Sequence, residues 1–221
     1  MSAYGGLTPS KVNLRNLFLG HALYKILCIL ILLACSQLPA FDSAHNVNWP
    51  ASREDTIFKQ FITTTIRWDT FHFLNIAQNG YSYEHLYAFF PGVPAILRVT
   101  SVLFGYGAYE SMLWGSWISI MFCVTTKTLY ELTLLESGSQ QVAMLATACS
   151  LLVTSPAAQL HAPYAEPFFT FLSYKGLLQC AHKNWLRASL YFMLACCFRS
   201  NGALLVGYIV WGMIIEPLQY P

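Results

Sequence analysis

Asp69 and His72 stand three residues apart in the run Arg67-Trp68-Asp69-Thr70-Phe71-His72. On a helix that spacing puts both side chains on one face. A carboxylate beside an imidazole can take a proton from a hydroxyl and orient the group that loses it. The run continues through Gly80-Tyr81-Ser82-Tyr83-Glu84-His85 and Ala88-Phe89-Phe90-Pro91-Gly92, which adds a second acid–imidazole pair at Glu84 and His85. Trp68, Phe71, Phe73, Tyr81, Tyr83, Phe89 and Phe90 suit a membrane–water interface. Such a loop could work on a polar head group whose tail stays in lipid. Plainer roles stay open: Asp69 as a helix N-cap, Arg67 as its salt-bridge partner, and the aromatics as an interfacial belt.

A second set of polar residues stands where charge is expensive. Arg98, Lys127, Glu131, Glu166, Lys175 and Arg199 lie within or beside apolar runs. A charge at mid-membrane costs about 2.5–3.5 kcal/mol on insertion scales. Lys127 and Glu131, four apart, can pair on one helix face, and Lys175 can snorkel. Arg98 and Arg199 suit a phosphate or carboxylate, or a structural bond to backbone or to Glu166. Asp69, His72, Glu84 and His85 have no recognised metal-ligand spacing, so no metal is expected. No nucleophile elbow, P-loop or dinucleotide fingerprint occurs. The seven cysteines show no CxxC pattern and sit mostly in apolar runs, as packing residues do.

The elements that must position these groups are membrane helices. Of 221 residues, 56% are hydrophobic and 10% charged, with mean hydropathy +0.47. Soluble domains carry about 25% charge. A net charge of +2 without a Lys/Arg cluster excludes a nucleic-acid partner of the usual kind, and the apolar content excludes disorder. The expected partner is a lipid bilayer.

Leu17–Leu38 is long enough for a first span. Lys11, Arg15 and Lys25, with no acid among them, put the N-terminus in the cytoplasm. A cleavable signal peptide is the rival reading, disfavoured by the long apolar run. Residues 40–92 then form a first loop on the far side. Its part from 40 to 88 holds all three aspartates of the chain and carries net charge −2. Ile57, Phe58, Phe61, Ile62 and Ile66 predict an interfacial amphipathic helix, and a short helix is expected over 69–78, ended by Asn79-Gly80. Further passes are expected from Pro94 to about Phe104, from Tyr109 to Leu129, from Gln141 to Ser155 and from Phe168 to Ala181. The last apolar region, Leu186–Ile215, is interrupted at Arg199-Ser200-Asn201-Gly202, which reads as a break between two pieces. Strict alternation would put His182-Lys183-Asn184-Trp185-Leu186-Arg187 on the far side, against the positive-inside rule. A re-entrant segment near 156–163 would remove that conflict. The expected fold is all-α: one polytopic transmembrane domain over 1–221 with a helical first loop.

The run from Arg67-Trp68-Asp69 through Phe73-Leu74-Asn75-Ile76-Ala77, Gly80–His85 and Ala88–Gly92 resembles the first luminal loop of the PIG-V family of GPI mannosyltransferases. Ser155-Pro156-Ala157 … Pro163-Tyr164-Ala165-Glu166-Pro167-Phe168 looks like that family's Ser-Pro-Ala … Tyr-Thr-Glu segment, with Ala165 at the Thr position. Arg199-Ser200-Asn201-Gly202 is similar to its Arg-Ser-Asn-Gly signature. The resemblance implies a GT-C glycosyltransferase of the endoplasmic reticulum membrane. It implies transfer of the second mannose, in α-1,6 linkage, from dolichyl-phosphate mannose to a GPI glycolipid acceptor. For the fungal members it also implies a small membrane partner subunit.

On that resemblance Asp69 matches the essential luminal acid, Glu84 and His85 an acid–imidazole pair, Glu166 a later acid, and Arg199 and Asn201 the last signature. A β-linked donor and an α-linked product mean inversion, so one base suffices, positive charge or donors must meet the departing phosphate, and no second acid is required. Asp69 is expected as the base. Arg67, Trp68, His72, Glu84, His85, Glu166 and Asn201 are expected to orient groups or bind substrate, and Arg199 and Arg98 to hold phosphate. No cofactor follows, the donor being a lipid-linked substrate. The chain is shorter than usual for the family, so the alternative expectation is a truncated, non-catalytic membrane protein that scaffolds GPI-anchor assembly.

Overall fold

The computed structural model describes residues 11–38, 69–104, 125–151 and 163–219, and all regular structure among them is helical. Arg67, Trp68, the amphipathic segment 57–66, the interruption at Pro156 and residues 109–124 of the pass expected over 109–129 lie outside the described residues, and the last residues of that pass belong to a helix that runs on to Ser137. The helices are α1 (Lys11–Ser36), α2 (Asp69–Asn79), α3 (Gly92–Phe104), α4 (Thr126–Ser137), α5 (Gln140–Leu151), α6 (Glu166–Ala181), α7 (Trp185–Cys196) and α8 (Ser200–Gln219). A short 3₁₀ turn, Glu84–Ala88, stands between α2 and α3. Two of them, Arg15–Cys35 within α1 and Ser200–Gln219, are long and apolar enough to cross a membrane by length and composition. Leu19, Leu23, Ile26, Leu27, Leu30 and Ile31 of α1 are all more than half exposed. Ordinary globular cores do not leave such a face bare, and lipid or further helices would cover it.

The chain divides into two compact units. The first comprises 1–23, 122–154 and 167–221, the second 24–121 and 155–166. In the first, α4 and α5 form a tight hairpin. Gly138 at φ 66° ends α4, its N–H meeting the Leu134 carbonyl at 2.9 Å. Ser139 starts α5 by accepting the Val142 N–H at 3.4 Å, an N-cap bond. Leu17, Tyr130, Leu134 and Ala143 make a buried cluster here, and His21 Nδ1 bonds Thr126 Oγ1 at 2.9 Å. Lys127 and Glu131 pair at 3.5 Å, as their spacing led us to expect.

In the same unit α6, α7 and α8 fold back on one another. Phe168 stacks on Phe198, and Gly176 lies so close to Phe192 that a Cβ would stand 2.2 Å from the ring. Those pairings make α6 and α7 antiparallel. Gly202 against the Cys196 backbone and Gly212 against the Trp185 ring do the same for α7 and α8. The last apolar region is therefore two helices meeting at the polar bend, not one long one. Between α6 and α7, the Asn184 and Lys183 N–H groups bond the Gln179 and Cys180 carbonyls, each at 2.8 Å, with Lys183 at φ 57°. This is a Schellman turn with lysine where glycine is usual. Lys183 also meets Glu216 at 3.6 Å.

Candidate active site

The second unit holds Asp69, His72, Glu84, His85, Arg98 and Glu166, while Arg199 and Asn201 belong to the first. Asp69 is the first residue of α2 and is exposed. A carboxylate there stands at the positive end of the helix. Thr70, Phe73, Leu74 and Ile76 of α2 are buried, while Asp69 is exposed and His72 half-buried. Gly80 stops the helix, as its place after Asn79 led us to expect. At φ 75° its N–H bonds the Ile76 carbonyl at 2.9 Å.

The chain then doubles back. Leu86, fully buried, pins the 3₁₀ turn, and the Tyr81 hydroxyl donates to the Phe89 carbonyl at 2.8 Å. Tyr81 also stacks on Tyr87, with ring centroids 5.0 Å apart. Burial, then the nearby Tyr87, pushes the Tyr81 phenol above its usual range, so it stays a donor. This turn carries Phe89 under His72, their rings stacked at 4.3 Å. His85 meets the His72 ring edge-on at 5.7 Å and stacks with Tyr83 at 5.9 Å. Both imidazoles therefore sit on one aromatic shelf. Glu84 is exposed at the start of the same turn.

A third segment reaches this region. Pro163 and Ala165 are buried, and between them Tyr164 is half-buried. Its phenol is pushed up to about 12 by burial, then by the negative charge of Asp69 and, more weakly, of Glu166; the Thr70 side chain opposes the rise. Tyr164 is thus a neutral hydrogen-bonding group within the field of two acids. The sequence carried it only as a letter in a motif. Nothing in the spacing brought it near Asp69.

Arg98 lies apart from the imidazoles. It is exposed on α3 and lines a groove of about 220 Å³ with Leu74, Ala77, Gln78, Leu97, Ser101 and Val102. In the first unit, Arg199 is half-buried at the bend before α8, and Asn201 is exposed two residues on. Among the described residues no group of three or more His, Cys, Asp or Glu side chains could hold a metal ion. The arrangement can supply a solvent-facing base at Asp69 and two imidazoles to orient a polar ligand.

The sequence model of the family described as Mannosyltransferase (PIG-V) matches residues 15–216. The chain is 38% identical over 152 residues to GPI alpha-1,6-mannosyltransferase 2 of Cricetulus griseus, covering 65% of this chain and 30% of that protein. It is 34% identical over 169 residues to the Mus musculus protein of the same name, covering 73% and 34%. It is 31% identical over 199 residues to GPI mannosyltransferase 2 of Cryptococcus neoformans, covering 86% and 44%. The chain thus spans less than half the length of these relatives. No solved structure matches it. The family match extends over nearly the whole chain, and the residues that carry the resemblance in the first loop are those gathered around α2. The chain belongs to the PIG-V mannosyltransferase family.

Proposed function

We propose that this chain carries the transfer site of a GPI mannosyltransferase that adds the second mannose, in α-1,6 linkage, from dolichyl-phosphate mannose. The observation that carries this reading is the family match over 15–216, with the acid of the first-loop motif, Asp69, exposed at the N-terminus of α2. Asp69 accepts the proton of the acceptor hydroxyl as that oxygen attacks the mannose anomeric carbon. The bond to the dolichyl phosphate oxygen breaks, and configuration inverts. His72 and His85, on their aromatic shelf, orient the acceptor, with Glu84 and Glu166 at the edges. Arg98 binds the departing phosphate, since a guanidinium is suited to phosphate oxygens, and the family signature gives Arg199 the same role and Asn201 a substrate-binding one. Arg67 and Trp68 adjoin Asp69 in the chain and extend the substrate-binding set. The chemistry uses no cofactor.

The same reading makes the chain a multi-pass protein of the endoplasmic reticulum membrane with its first loop in the lumen. In the first unit the basic stretch His182, Lys183 and Arg187 lies at one end of the α6–α7 hairpin, and the positive-inside rule assigns it to the cytosol. The bend at Arg199 lies at the other end and so faces the lumen. A small membrane partner subunit belongs to this proposal as well.

Complementation tests it. The chain is expressed in cells lacking the second GPI mannosyltransferase, beside its Asp69→Asn variant, and GPI lipids are profiled by mannose count. Loss of the one-mannose intermediate with the wild-type chain alone supports the reading. Persistence with both, at normal protein levels, points instead to a non-catalytic scaffold. Clearance with both removes Asp69 from the mechanism.

A further inference from the structure

The aromatic shelf that carries the imidazoles does not end at His85. Tyr83 stacks on that imidazole, with ring centroids 5.9 Å apart and planes 14° from parallel. His85 in turn meets His72 edge-on at 5.7 Å, and His72 lies on Phe89 at 4.3 Å. Four rings run in succession, and the last of them, Tyr83, is 63% exposed. With one face on His85 and most of the residue exposed, the opposite face of the Tyr83 ring is open. The backbone beneath it is fixed. Tyr83 is extended, at φ −133° and ψ 150°, where the 3₁₀ turn begins. Its carbonyl accepts the Leu86 N–H at 3.1 Å, and Leu86 is fully buried. A tyrosine of an interfacial belt needs only the right depth in the membrane. Tyr83 instead has its plane set by a ring of the candidate site. A ring held in one plane before a ligand arrives loses little rotamer freedom on binding.

We propose that Tyr83 is a sugar-stacking residue of the acceptor subsite: its open face takes a pyranose ring of the GPI glycan and so favours a glycolipid over a bare lipid. This deepens the reading of the chain as a GPI mannosyltransferase and rests on it. The axial C–H bonds of a pyranose form an apolar, slightly positive face, and the face of an aromatic ring is negative. Ser82 and Glu84, the exposed neighbours of Tyr83 in the chain, carry oxygens that accept hydrogen bonds from sugar hydroxyls. Arg98, the group suited to phosphate, lines a groove to which none of the four rings contributes, so the shelf is left to the sugar. Tyr83 takes no part in proton transfer. Its loss therefore weakens acceptor binding and leaves the chemical step in place.

The test measures equilibrium binding of a radiolabelled one-mannose GPI glycolipid to the full chain purified in detergent, which needs no turnover. Tyr83→Ala should raise Kd on the order of 10-fold, as loss of an aromatic stacking partner does. Tyr83→Phe and Tyr83→Trp keep a ring and should bind as wild type does. If Tyr83→Ala fails to accumulate, Tyr83→Leu keeps the bulk and removes the ring. Tyr87→Ala, at a residue 70% exposed but stacked on Tyr81 rather than on an imidazole, should leave Kd unchanged. Phosphatidylinositol has the phosphate and tail but no pyranose, and should bind wild type and Tyr83→Ala alike. An equal loss for Tyr87→Ala, or with phosphatidylinositol, would show a belt or a lipid contact and overturn the proposal. So would a loss confined to dolichyl-phosphate mannose. Wild-type affinity of Tyr83→Ala for the glycolipid also overturns it and leaves the mannosyltransferase reading intact. No glycolipid binding by the wild-type chain sinks both. Tyr83-dependent binding without clearance of the one-mannose intermediate in cells supports the subsite and removes the transfer reading alone.

Discussion

His72 lies flat on Phe89, with ring centroids 4.3 Å apart and planes 19° from parallel. The same Phe89 ring receives Phe73 edge-on at 5.7 Å, so one side chain joins the half-buried His72 to the buried Phe73. Fully buried Phe→Ala changes cost about 3–5 kcal/mol, and Phe89 is half-buried, so we expect roughly half that for Phe89→Ala. The thermal-inactivation midpoint should fall by several degrees. Tyr87→Ala, at a residue 70% exposed, should shift it much less. Equal shifts would mean that Phe89 is no more a support than the exposed rim.

Gly80 should tolerate substitution in the order Asn, Ala, Val. A Cβ there meets nothing within 4 Å, so crowding is not at issue. The cost comes from φ 75°, about 1–2 kcal/mol for an ordinary L residue and less for Asn. Thermal midpoints in detergent rank the series. Indifference to side-chain type would show that the turn after α2 does not need the left-handed conformation.

Gly176→Ala should destabilise the α6–α7 hairpin by about 1–3 kcal/mol, as overpacking does. The new Cβ would stand 2.2 Å from the buried Phe192 ring. Phe192→Leu in the same chain should recover part of the loss. The sign of the coupling decides: additive losses would mean that the two residues do not share the contact.

The raised Tyr164 phenol predicts a flat response through neutral pH. A group whose folded pKa is raised binds its proton more tightly when folded. Its contribution to stability is complete below the ordinary value near 10 and is lost as pH rises toward about 12. Between about pH 6 and about pH 9, the activity profiles of wild type and Tyr164→Phe should therefore have the same shape, whatever their heights. An alkaline limb near 10 that vanishes in Tyr164→Phe would show the phenol to be unshifted.

A cysteine at the exposed position 182 should report the side of the α6–α7 turn. In a cysteine-free chain, His182→Cys should react with an impermeant maleimide once the plasma membrane alone is opened. Reaction only after the endoplasmic reticulum membrane is opened would place the turn in the lumen and reverse the proposed orientation.

Much of this protein is written locally in its chain. The helix over Asp69–Asn79, its end at Gly80 and the Lys127–Glu131 pair follow from i, i+3 and i, i+4 spacing and from glycine's access to positive φ, all properties of neighbouring residues. The break at Arg199–Gly202 was legible for the same reason, because a turn sequence interrupts apolar periodicity wherever it occurs. The stacking of His72 on Phe89 and the approach of Gly176 to Phe192 were not legible. Each joins residues whose separation along the chain carries no period. Which of several equally suitable aromatic or hydroxyl partners meets which is set by how helices pack, and packing depends on the volume and shape of the whole unit rather than on any local run.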